Sequence, residues 1–322
     1  MKILVTGGAG YIGSVLVRLL LARGHQVRVL DNLMYGGEPI IDLINDSNFS
    51  FYKGDVRKES DVEAALNSME AVVHLAAIVG DPACAKNEDL ANSTNSVGSR
   101  LVYEVANRQG VERFIFASTC SNYGKMSNPE EFVTEESALS PVSLYARTKV
   151  DFEKFLFSQA KDGCQPTCLR FSTVYGLSPR PRFDLTVNEF TKELAMGREL
   201  VVFGEQFWRP YCHVVDLSRS VVTALEAPKE KVAFEVFNVG DTSENYQKQM
   251  IVDEILKQIP DGKIKYVAKS EDPRDYRVNS DKIKRELGFE ISIKVPEGIA
   301  QTIKVIREGF IVDPDDAKYK NV

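Results

Sequence analysis

Short apolar runs recur along the chain at residues 3–6, 27–30, 49–52, 71–75, 113–118 and 167–171. Most are separated by stretches with the apolar spacing of a helix, among them 11–21, 91–109 and 144–160. Alternation of this kind predicts an α/β fold, a doubly wound parallel sheet with helices on both faces. The rhythm breaks after Gly176, where residues 178–183 read SPRPRF, and helical spacing resumes over 185–194. Residues 232–239 (VAFEVFNV) read as a further strand that can return to the first sheet. The pattern divides the 322 residues into a larger unit, 1–176 returning at about 211–240, and a smaller α/β lobe, 177–210 with 241–322.

Open sheets of this kind bind ligands beyond the carboxyl ends of their strands. Gly7, Asp31, Asp55, Ala76, Ser118 and Thr173 all fall at or just past such ends. The chain opens MKILVTGGAGYIG, so Gly7, Gly10 and Gly13 occupy the turn between the first strand and its helix. A side chain there would keep a phosphate from the backbone, whereas free N–H groups and the helix dipole would hold a pyrophosphate. Asp31 ends the second strand 18 residues beyond Gly13. A carboxylate at that place accepts from both hydroxyls of an adenosine ribose and repels a 2′-phosphate, which favours NAD over NADP. Asn32 is neutral and no arginine follows directly, in keeping with that choice.

Tyr145 and Lys149 stand four residues apart in a helical stretch and so share one face. A phenol with a pKa of about 10 is a poor base. A lysine ammonium one turn away and a positively charged nicotinamide ring beside it would each favour the phenolate. Such a tyrosine accepts a proton from an alcohol as hydride leaves the same carbon. Thr119 upstream offers a hydroxyl to hold the same oxygen.

Further pieces fall in the same register: Gly54-Asp55-Val56, His74-Leu75-Ala76-Ala77, Asn95, Thr119 before Tyr123-Gly124, Leu169-Arg170, Val174-Tyr175-Gly176, Arg209-x-x-x-His213-Val214-x-Asp216 and Leu287-Gly288-Phe289. With them the chain resembles, over nearly its whole length, the extended short-chain dehydrogenase/reductases that modify nucleotide sugars, the NAD-dependent epimerase/dehydratase family. The resemblance implies an NAD-binding Rossmann domain in the larger unit and a substrate-binding smaller lobe. It implies Thr119, Tyr145 and Lys149 as catalytic residues. For NAD it implies Gly7, Gly10, Tyr11, Ile12, Gly13, Asp31, Asn32, Asp55, Val56, Leu75, Ala76, Ala77, Asn95 and Ser118 beside Tyr145 and Lys149, with Asp55 toward the adenine. For the substrate it implies Thr119, Thr173, Arg180, Arg182, Asn188, Arg209 and Arg274, the arginines against a diphosphate. Thr173 departs from the family, where an asparagine usually stands. His74 reads as a packed strand histidine rather than a catalyst. Helices over 91–109 and 144–160 would pair across a homodimer.

The residues after Thr119 bear on reaction type. Family members that eliminate water carry Asp-Glu there, decarboxylating members a Glu at the second position, and 3,5-epimerising members a Cys at that second position. This chain has Cys120-Ser121. Hydride and proton transfer at one carbon survive: oxidation at C4 of the sugar, with the hydride returned to the other face by a 4-epimerase or the ketone released by a dehydrogenase. Residues 178–194 and 77–84 look most like C4 dehydrogenases of nucleotide-linked heptoses in surface-polysaccharide pathways, which favours GDP over UDP as the nucleotide. The rival readings are a reductase of a non-nucleotide ketone and a non-catalytic NAD-binding sensor or scaffold.

Composition narrows the field. A net charge of −6 argues against a nucleic-acid partner. Hydrophobic content of 43% and charged content of 27% are those of a soluble protein, and no run approaches the length of a membrane span. Five dispersed cysteines and three isolated histidines lack metal-ligand spacing, so no metal site and reduced, cytoplasmic thiols are expected.

Overall fold

The apolar runs assemble side by side. The structure, a computed structural model, describes residues 1–126, 128, 131–268 and 274–321. Seven strands form one parallel sheet: β1 (Lys2–Thr6), β2 (Gln26–Asp31), β3 (Phe49–Lys53), β4 (Ala71–His74), β5 (Arg113–Thr119), β6 (Gln165–Phe171) and the later β10 (Glu235–Val239). Their order is β10-β6-β5-β4-β1-β2-β3, so the direction of growth reverses beside β1. A crevice opens at such a reversal, outside the strand ends.

Both faces are covered, which is why the strands read as continuous apolar runs rather than alternating ones. On one face the helices Gly13–Ala22 and Val214–Glu226 pack over Ile3, Val5, Val73 and Phe237. On the other, Glu59–Leu66, Ser99–Arg108 and Leu144–Phe157 cover Leu4, Val72, Phe114 and Phe116. Residues 232–239 were expected to be one strand; instead a short helix, Lys229–Val232, precedes β10. The helical pattern of 91–109 is also interrupted, because Ser93–Gly98 forms a wide π turn before Ser99–Arg108.

The remaining strands are β7 (Thr173–Tyr175), β8 (Glu199–Phe203), β9 (Trp208–His213), β11 (Asn245–Gln247) and β12 (Lys263–Val267), in two small sheets ordered β11-β9-β7 and β12-β8. A separate core lies here under the helices Thr186–Ala195, Lys248–Leu256 and Val295–Arg307. Among the described residues, no helix is long and apolar enough to cross a membrane.

Candidate active site

The carboxyl ends of β1 to β6 open on one cavity, which continues past β7 and β9 to Arg209, Arg274 and Tyr276. Its floor is the glycine turn. Gly7 has φ +75°, the left-handed region, and its N–H donates to the Leu30 carbonyl at 2.9 Å. A Cβ on Gly7 would stand 2.8 Å from the Ala76 nitrogen, and one on Gly13 would stand 2.2 Å from the Gly7 carbonyl oxygen. The turn is therefore closed tight against the segment that follows β4 and leaves bare backbone toward the cavity, beside Gly10, Tyr11 and Ile12. Asp31 is oriented by two backbone donors, Ala9 N–H at 3.0 Å and Leu33 N–H at 2.8 Å. Burial pushes its carboxyl up from the usual value, against the pull of those donors and of the Arg180 charge. Asp55 is gripped by Arg57 at 2.6–3.1 Å, which holds its carboxyl below the usual range. Asn32, Val56, Leu75, Ala76 and Ala77 complete this half of the wall. Bare backbone at a helix start with an oriented carboxylate one strand away is the donor and acceptor set that a dinucleotide requires.

Ser118 and Thr119 come from the end of β5. Thr119 Oγ1 accepts the Ser121 N–H at 3.1 Å, so its own hydroxyl hydrogen is available to donate. Tyr145 lies in the first turn of Leu144–Phe157, a helix whose start is fixed by the Ser143 hydroxyl accepting from the Ala146 N–H. One turn on, Lys149 Nζ donates to the Ala117 carbonyl at 2.8 Å, 4.6 Å from the Phe116 ring centroid and 5.8 Å from that of Tyr145. Burial lowers Lys149 from 10.5 to about 8. Burial also raises the Tyr145 phenol well above its usual value, with Cys84 and Asp81 adding to it and Arg182 opposing. Burial thus favours the neutral phenol.

Beneath these groups runs a buried polar network. Arg170 grips Glu153 through Nε at 3.1 Å and Nη2 at 2.7 Å, and Glu153 also accepts from Ser118 at 2.5 Å and Asn122 at 3.1 Å. It ties the helix carrying Tyr145 and Lys149 to β5 and β6. His74 is equally internal, held between Thr6 and Ser99, and burial lowers it to about 3. Cys120 is buried with its thiol toward the Arg170 carbonyl at 3.2 Å and pushed well up by burial, so it is no reactive thiol.

Thr173, Arg180, Arg182, Arg209 and Arg274 all reach the wall. Arg182 is locked two-pronged on Asp184, at 2.9 and 2.8 Å. Arg274 bridges to Asp81 at 3.0 Å across the cavity mouth; Glu271, Asp272 and Pro273 before it lie outside the described residues. Arg180 is not with Arg209 and Arg274 but stacks on Tyr35, close enough for Asp31 to feel its charge. Two expected contacts stand behind the wall instead. Asn95 binds both the N–H and the carbonyl of Ile78, at 2.8 and 2.9 Å. Asn188 accepts from Gly176 N–H at 2.8 Å and donates to the Gly176 and Arg182 carbonyls. Both amides are consumed in shaping the loops that do line the site. Tyr35, Asp81, Ser121, Tyr211 and Tyr276 also line it, without a spacing in sequence that announces them.

The model of the NAD dependent epimerase/dehydratase family matches residues 3–240. The dTDP-glucose 4,6-dehydratase of Streptomyces niveus is 30% identical over 98% of this chain and 97% of its own length. The UDP-glucose 4-epimerase of Halalkalibacterium halodurans is 31% identical over 90% of each chain. Among solved structures, the UDP-glucuronic acid 4-epimerase of Bacillus cereus, in complex with UDP-glucuronic acid and NAD, superposes with a TM-score of 0.86 at 26% identity, covering 96% of this chain and 99% of the other. With the glycine turn, Asp31 and the Thr119–Tyr145–Lys149 set opening on one cavity, and with that match across three quarters of its length, this chain belongs to the NAD-dependent epimerase/dehydratase family.

Proposed function

We propose that the chain is an NAD-dependent nucleotide-sugar enzyme that oxidises C4 of the sugar, acting as a 4-epimerase or a C4 dehydrogenase. The observation that carries this reading is the turn after Thr119. Cys120 is buried with a thiol held protonated, Ser121 is a neutral hydroxyl, and none of the wall's carboxylates belongs to that turn. Proton transfer to or from an alcohol needs only Thr119 and Tyr145, whereas elimination of water needs a further acid.

Bound NAD supplies the hydride acceptor. Thr119 donates its hydroxyl hydrogen to the substrate oxygen, and Tyr145 takes the proton from that oxygen. Lys149, fixed by the Ala117 carbonyl, keeps a positive charge under the ring face and stabilises the phenolate as it forms. Arg209 and Arg274 are the cations we assign to the substrate diphosphate, with Thr173 and Arg182 nearer the sugar. The nucleotide is UDP or GDP. The helices Ser99–Arg108 and Leu144–Phe157 present Arg100, Glu104, Arg147 and Asp151 to solvent, an alternation of charge suited to a second copy of the chain across a two-fold axis.

The test is NMR of GDP- and UDP-linked hexoses and heptoses incubated with enzyme and NAD. Inversion or ketone formation confined to C4 is expected in one compound. No change in any compound, with NAD bound, would overturn the reading in favour of a non-nucleotide ketone reductase or a sensor. Tyr145→Phe is expected to retain NAD and lose turnover by about 10²- to 10⁴-fold, read as single-turnover cofactor reduction.

A further inference from the structure

Arg180 is buried, only 4% exposed, in the proline-rich segment after Gly176. Arg170 and Arg182 are similarly buried, and each closes on a carboxylate, Glu153 and Asp184. Arg180 does not. Among the described residues, no carboxylate lies within ion-pair distance of it, and its contacts are neutral: the Asn321 side-chain oxygen at 2.7 Å, the Lys320 carbonyl at 3.2 Å and the Tyr35 ring at 3.9 Å. Its Nε is buried with no acceptor. A guanidinium taken out of water without an anion is costly, so the arrangement lacks a partner.

The surroundings say where that partner belongs. Arg180 and Tyr35 both line the cavity. Two residues before Arg180, the Ser178 hydroxyl donates to the Tyr11 carbonyl at 2.6 Å and lies 3.1 Å from Ser14 Oγ, in the first turn of the helix after the glycine loop. The Arg180 guanidinium therefore meets the cavity beside the glycine turn and Asp31.

We propose that Arg180 binds the cofactor rather than the substrate, as counter-charge to the phosphate-bearing half of the bound dinucleotide, and that residues 315–321 form a clasp that keeps it there. That segment is stitched to the region of Arg180 throughout. Asp315 pairs with Lys192 and Arg198, each at 2.6 Å. The Phe183 N–H donates to the Tyr319 carbonyl at 2.9 Å while their rings meet edge to face. The Asn321 N–H donates to Asp184 at 3.0 Å, and its side chain holds Arg180. Asn321 itself reaches the cavity wall, so the clasp covers the cofactor end of the site.

The test is exchange of bound NAD for isotopically labelled NAD in the purified holoenzyme, with UDP and GDP affinity measured alongside. Arg180→Met keeps the contact with Tyr35 and removes the charge. It is expected to speed exchange by about 10- to 100-fold, the loss of a charged hydrogen bond, and to leave UDP and GDP affinity unchanged. Arg180→Lys should fall between, and Asn321→Ala should speed exchange several-fold with the charge intact. These two milder variants decide the matter if Arg180→Met fails to fold. Unchanged exchange in all three, or lost UDP or GDP affinity with unchanged exchange, overturns the proposal. Wild-type preference for NADP that disappears in Arg180→Met would place the charge on a 2′-phosphate and overturn it equally.

Discussion

Lys149 is a buried cation, and its burial leaves a signature in stability. Its folded value of about 8 lies below the 10.5 of the unfolded chain. Below pH 8 both states hold the proton and the full cost of the buried charge is present. Between pH 8 and 10.5 the folded state sheds the proton while the unfolded state keeps it, so this contribution to stability rises with pH. The difference in urea midpoint between the wild type and Lys149→Met should therefore move in favour of the wild type from pH 7 to pH 10. The comparison cancels the Tyr145 contribution, which both proteins share. That Tyr145, Lys149 and Asp31 reach one cavity was legible in the sequence, because spacing along one helix and the end of one strand bring them there. The positions of Asn95 and Asn188 were not. Residue type alone cannot tell whether an amide faces the cavity or the Ile78 and Gly176 backbone behind it.

At the scale of elements, the site depends on fits between neighbours. A Cβ on Gly13 would meet the Gly7 carbonyl oxygen at 2.2 Å, and that neighbour is backbone. Gly13→Ala should open the first turn, lower thermal stability and release NAD, read by melting temperature and cofactor content. The Glu153–Arg170 pair spans the helix Leu144–Phe157, β5 and β6, with both side chains about 95% or more buried. Removing one partner strands a charge, so Glu153→Ala should lose about 3–5 kcal/mol in urea unfolding. The break in the 91–109 helix shows what the apolar pattern misses. A π turn changes residues per turn without changing which residue types suit a helix. It coincides with Asn95, whose amide must meet both polar groups of Ile78.

At the scale of the whole molecule, parallel strands with helices between them were readable because each alternation is local. The convergence of Arg180, Tyr35 and Asn321 was not, since nothing in the sequence pairs residues 35, 180 and 321. The returning strand carries a different consequence. β10 pairs with β6 in register from Glu235 opposite Thr167 to Val239 opposite Phe171, and the helix Val214–Glu226 covers one face over β5 and β6. A fragment of residues 1–176 should expose that face and the β6 edge and aggregate in light scattering, whereas the full chain should stay monodisperse. During synthesis, the ribosome must therefore deliver residue 239 before the sheet that begins at β1 can finish folding. The glycine turn is made long before residue 239 yet becomes competent only after it, and a chaperone has most reason to attend this chain during that interval.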